Sequence, residues 1–328
     1  MFLVPFRSLR LTRLLAAAAG ALLVAGCGGD VHQRFEPQRI LSIGDEYSYI
    51  DPATKARYTV DPLHADGSRD CAYDRFWLWN QFVADRYGRS FNECPVAGRT
   101  ADGNTRMLAQ EGATVATLAS QLDAVGGARD RDLLLVFVGA NDVWELYSNP
   151  AATSPTPEGV CAQATKSTAE QSACARGQAL ARQLETWTRA GARVVVLDVP
   201  NQGSTPEAGA AGADRAQLER LTTAFNEGLR FTLPDDSRYI ALVLANNRVR
   251  LAQQNNDSPY PFNNRNDPIC TTGSAKDCTT STLQAGASAD DANNSRYRYV
   301  YAAGRHLTPT MHRLIGQLAG DRARDQPF

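Results

Sequence analysis

Six consecutive apolar residues, Leu133-Leu134-Leu135-Val136-Phe137-Val138, constrain this chain more than any other feature. Strand side chains alternate between two faces, so a run that is apolar at every position needs cover on both. A central strand in a parallel sheet, with helices on each side, meets that need. Arg193-Val194-Val195-Val196-Leu197, ended by Pro200, repeats the pattern. Arg39-Ile40-Leu41-Ser42-Ile43, broken by Gly44-Asp45, and the segment from Tyr239 to Leu244 read as further strands. Helical spacing links Phe76, Trp79, Val83 and Tyr87 up to Gly88, and Val115, Leu118 and Leu122 up to Gly126-Gly127. The stretch from Ala175 to Ala190 and the set Leu218, Leu221, Phe225 and Leu229 give two more helices. Tyr299-Val300-Tyr301 reads as a strand leading to Thr308-Pro309, a cap followed by proline at the first helical position. The alternation of strand and helix predicts one α/β domain over 39–328, while the polar stretches 148–157 and 255–294 read as long surface loops.

The amino terminus has a separate logic. Arg7, Arg10 and Arg13 precede a short apolar run from Leu14 to Ala25, which ends in Val24-Ala25-Gly26-Cys27. A positive start, a short apolar middle and small residues at the end form the layout of a secretory signal, here 1–26. The run is short for a bilayer span. Val-Ala-Gly-Cys resembles the lipobox of bacterial lipoproteins, which implies acylation of Cys27, a tether over 27–38 and an outer-membrane lipoprotein of the cell envelope, facing periplasm or surface. An ordinary secreted protein with a chance cysteine is the alternative. The lipid would be the membrane anchor, and a formal charge of −1 without a basic cluster gives no reason to expect nucleic acid as a partner.

Six further cysteines fall into three local couples, predicting the disulfides Cys71–Cys94, Cys161–Cys174 and Cys270–Cys278. No CxxC pair or histidine cluster accompanies them, so neither a metal nor another cofactor is expected.

Ligands of open α/β sheets bind beyond the carboxyl ends of the strands. Those positions carry Gly44-Asp45-Glu46-Tyr47-Ser48, Gly112-Ala113-Thr114, Gly139-Ala140-Asn141-Asp142 and Arg305-His306-Leu307-Thr308-Pro309. Their order and content resemble the SGNH/GDSL-type ester hydrolases, whose blocks run Gly-Asp-Ser, Gly, Gly-x-Asn-Asp and Asp-x-x-His. The resemblance extends from about Arg39 to Ala319 and implies a flavodoxin-like three-layer α/β/α sandwich with a mainly parallel sheet. It implies Gly112 and Asn141 as oxyanion donors, His306 as base, and a small acyl-ester or acetylated-glycan ligand.

Two positions depart from the pattern: Glu46 stands where the family has its nucleophilic serine, and Ala303 where it has the aspartate that orients the histidine. Ser42 is expected inside the strand. Ser48 lies two residues past the nucleophile position, where a helical turn would point it away. Glu46 itself could activate water beside His306, or pair with His306 and raise its pKa. A substitute orienting carboxylate could come from Asp142, Asp290 or Asp291. Two functions stay open: a binding protein that has lost or weakened serine-esterase chemistry, and an active carboxylic ester hydrolase using Glu46, His306, Gly112 and Asn141. His312 reads as a helix-surface residue, His32 and His64 as tether and loop, and Trp77, Trp79 and Trp144 as core or cleft lining.

Overall fold

The computed structural model describes residues 35–236, 238–254, 262, 264–287 and 299–324. Cys27, His32, Asp290 and Asp291 lie outside them.

The first strand, β1 (Arg39–Gly44), leads through a long irregular segment to helix α1 (Trp79–Arg86) and the short strand β2 (Thr105–Met107). Helix α2 (Leu118–Asp123) precedes β3 (Asp132–Phe137), every residue of which is buried, as its doubly apolar sequence requires. Helices α3 (Ala140–Ser148) and α4 (Thr168–Arg189) precede β4 (Arg193–Leu197). The short α5 (Pro206–Ala210) and the long α6 (Arg215–Thr232) lead to β5 (Ile240–Val243) and α7 (Ala245–Gln253). Strands β6 (Asn264–Pro268), β7 (Tyr299–Ala303) and β8 (His306–Leu307) precede α8 (Pro309–Arg324), which begins at its proline as expected.

The main sheet is fully parallel in the order β2-β1-β3-β4-β5. This is the flavodoxin-like doubly wound order, and its direction of winding reverses between β1 and β3. The crevice outside those two strands is the place such a sheet offers a ligand. Gly44 ends β1 with φ +133, and a Cβ there would lie 1.9 Å from the Phe137 carbonyl oxygen. Gly139, after β3, has φ +123, and its Cβ would meet the Phe225 ring at 2.5 Å. Both turns therefore require glycine.

The stretch 255–294 is more than a loop. It carries β6, which pairs parallel with β7 beyond the stretch, and β7 pairs antiparallel with β8 in a separate three-stranded sheet. The sequence Asn-Arg-Asn-Asp-Pro has no apolar alternation because most of this edge strand is exposed, and pairing comes from its backbone. The first helix is also shorter than its spacing suggested: Phe76 belongs to a separate 3-10 turn, Asp74–Phe76. All three disulfides form as expected, with Cα–Cα distances of 6.0, 5.3 and 5.7 Å. Among the described residues, no helix is long and apolar enough to cross a membrane.

Candidate active site

Three of the four sequence-predicted residues meet at the β1/β3 crevice. Glu46 sits in the turn after β1 and is 8 % exposed. Its Oε1 accepts a hydrogen bond from the Gly112 backbone N–H at 2.7 Å, and its Oε2 accepts one from Asn141 Nδ2 at 2.8 Å. The two donors that the resemblance assigns to an oxyanion thus both point at the side chain of Glu46. Asn141 Nδ2 also donates to the Ala113 carbonyl, and Asn141 Oδ1 accepts from Arg305 Nη2 at 3.0 Å. The amide of Asn141 is held on both ends, which fixes its NH2 toward the carboxylate.

Behind this cluster Asp142 is buried and accepts from the Val115 N–H at 3.1 Å and from Arg176 Nη1 at 3.3 Å. It ties the segment that carries Gly112 to the helix that carries Asn141. Burial outweighs the Arg176 charge and pushes its carboxyl up to about 6. Asp45 is more deeply buried, with Oδ1 accepting from the Tyr47 N–H and Oδ2 without a partner. Burial, followed by the charge of Glu46, raises its pKa well above the usual carboxylate value.

His306 opens the two-residue strand β8 and is 7 % exposed. The ring lies against Tyr58 and Tyr47, with centroids 4.8 and 5.4 Å away. Burial, then the nearby Arg305 and His312, push its pKa well below the ordinary histidine value, so the neutral ring is favoured. The nearby backbone carbonyl of Ala303 opposes that shift without reversing it. Nε2 is the buried nitrogen left without a partner.

Several expectations are corrected here. Glu46 and His306 form no ion pair, because the carboxylate is turned into the Gly112 and Asn141 donors. His306 is accordingly shifted down in pKa by burial rather than up by a carboxylate. Asp142 does not orient His306, since Arg176 and the Val115 amide engage it. His312 is fully buried in α8 rather than on its surface, with both ring nitrogens unpartnered and its pKa pushed down to about 3 by burial. Ser48 does point away, accepting from Trp79 Nε1, although the segment is a turn rather than a helix. Ser42 is buried in β1 and accepts from Asn80 Nδ2. Trp77 and Trp79 are core, and half-buried Trp144 donates to Gln202 Oε1, with the Arg305 guanidinium 5.8 Å from its ring. Half-exposed His64 stands 4.0 Å from Asp70 in a loop.

Arg305 is the site residue that the motifs did not single out. It joins Asn141, the Trp144 ring and, at 3.6 Å, Glu207 Oε2. Its only sequence signal is its place directly before His306. Beside Arg305 and His306 a cavity of about 720 Å3 opens between α5 and the small sheet. Among the described residues, no group of three or more His, Cys, Asp or Glu side chains is placed to hold a metal ion.

Neither a family model nor a curated protein sequence matches the chain. Among solved structures, it is similar to a member of the lipolytic protein G-D-S-L family from Veillonella parvula. That likeness has 12 % identity and a TM-score of 0.43, covering 86 % of this chain and 95 % of that one. It is also similar to an alpha/beta hydrolase enzyme from the metagenome of Lake Arreo, Spain, at 13 % identity and a TM-score of 0.35. That match covers 64 % of this chain and 78 % of that one. The α/β assignment stands on the sheet order itself.

Proposed function

We propose that this protein is a ligand-binding envelope lipoprotein built on a GDSL-type hydrolase fold, in which Glu46 switches off serine-esterase chemistry. One observation carries the reading: both carboxylate oxygens of Glu46 occupy the donors of Gly112 and Asn141. An acyl-transfer site works by aiming free donors at the charge that develops on the carbonyl oxygen. Here a permanent negative group fills that place. A water-activating Glu46 would need those same donors for the substrate oxygen, so its present bonds and that mechanism exclude one another. His306 keeps a free Nε2 but has no hydroxyl nucleophile beside it in the sequence position that should supply one.

The ligand would be a small acyl-ester or acetylated-glycan molecule, and Cys27 would carry the lipid that anchors the chain at the outer membrane. Hydrolysis of short- and medium-chain p-nitrophenyl esters tests the functional reading. The natural protein is expected at the buffer rate, with Glu46→Ser gaining turnover that requires His306. Turnover by the natural protein that disappears in both Glu46→Ala and His306→Ala overturns it.

A further inference from the structure

The cavity of about 720 Å3 beside His306 lies within the roughly 300–1,000 Å3 of small-molecule sites. Its wall is chemically balanced. Arg215 and Arg305 contribute positive charge, and Glu207 and Asp267 contribute negative charge. An anionic ligand would meet the two carboxylates, and a cationic one the two guanidinium groups.

The free polar atoms are balanced in the same way. Arg305 Nε is a buried donor without a hydrogen-bond acceptor, since Glu207 Oε2 stands at 3.6 Å. Arg215, exposed at the opening, makes no hydrogen bond or ion pair among the described residues. On the accepting side, Glu207 has only that distant arginine. Arg215 therefore brings a free donor, and Glu207 an acceptor with one loose partner, to the same cavity.

A hydroxyl group is the ligand feature that uses both, because it donates once and accepts twice. The Tyr58 ring, 4.8 Å from His306, adds an aromatic face in the same wall. We infer that the cavity binds an uncharged polyhydroxyl ligand of saccharide size, held by Arg215 and Glu207 with Tyr58 against a ring face. This deepens the ligand-binding reading of the site and rests on its retained pocket, not on any turnover.

Calorimetric titration of the full chain tests it, with cellobiose and N,N′-diacetylchitobiose as neutral probes. A digalacturonate and a glucosamine dimer serve as acidic and basic probes of equal size. A neutral disaccharide is expected to bind at least about tenfold more tightly than either charged one. Glu207→Gln and Arg215→Met should each weaken it about tenfold, as for a lost hydrogen bond to a charged group. Silence with both neutral probes up to about 10 mM, preference for a charged probe, or binding indifferent to both substitutions overturns the inference. The readout is independent of ester chemistry: an active esterase that binds cellobiose refutes the proposed function alone, and a silent protein that binds no sugar refutes this inference alone.

Discussion

Two neighbouring regions of this molecule treat their polar groups in opposite ways. At the β1/β3 crevice the donors of Gly112 and Asn141 are occupied by Glu46, and Asn141 is itself clamped by Arg305. Beside it, the β7–β8 hairpin and α8 hold His306 Nε2, Arg305 Nε and both nitrogens of His312 without hydrogen-bond partners. Buried polar atoms are normally satisfied, and each exception asks for a reason. The saturated region has no vacancy for a reacting oxygen. The unsaturated one keeps its partnerless atoms buried beside the cavity. On the proposed reading, loss of catalysis and retention of binding fall to adjacent regions.

The sharpest way to break the contrast is to loosen the saturated side from behind. Asp142→Ala strands the buried Arg176 and the Val115 amide, and should lower unfolding free energy in denaturant by about 3 kcal/mol. A loss under about 1 kcal/mol would mean that Glu145, Ser154 and the Thr153 carbonyl suffice to hold Arg176. Glu46→Ala comes next, leaving two donors unmet at a cost of about 1–2 kcal/mol. An unchanged or raised stability would say that the carboxylate's burial already cancels its bonds.

The smallest effect at neutral pH belongs to the unsaturated side. His312→Leu should change stability by less than about 1 kcal/mol near pH 7, because no hydrogen bond is lost. Its signature is in acid. The folded ring has a pKa of about 3 against an ordinary 6.5, so below 6.5 the unfolded chain takes a proton that the folded ring refuses. Stability is then lost as pH falls from 6.5 toward 3, at about 1.4 kcal/mol per unit. Asp142, raised to about 6, acts in the opposite sense, gaining stability as pH falls from about 6 to 3.8. The difference between natural and His312→Leu profiles isolates the histidine, and parallel profiles would show that it is not held neutral.

Much of the fold was legible because hydrophobic burial leaves a periodic trace. The runs at Leu133 and Arg193 became β3 and β4, and the apolar spacing from Leu218 to Leu229 became α6. Turn chemistry placed Glu46, Gly112 and Asn141 at loop ends that the structure brings together, while His306 falls in β8. What remained illegible was set by three-dimensional partners. The sequence shows Glu46 where a serine is expected, but not the direction of its carboxylate, which depends on the Gly112 amide and on Asn141 being clamped by Arg305. His312 looks like a surface residue because polarity is the usual guide to exposure, yet packing buries it completely. Strand β6 escaped notice because an exposed edge needs no apolar side chains.

Whether Glu46 fills the anion pocket is tested most directly by offering the pocket another carboxylate. Thermal unfolding would be followed in rising acetate, at constant ionic strength, for the natural protein, Glu46→Ala and Glu46→Ala/Asn141→Ala. A ligand that binds only the folded state raises stability with its concentration. The account predicts that acetate stabilises Glu46→Ala and leaves both the natural protein and the double variant unmoved. Equal responses from the natural protein and Glu46→Ala, or none from Glu46→Ala, would contradict it, because the donors would then not be the ones that Glu46 occupies.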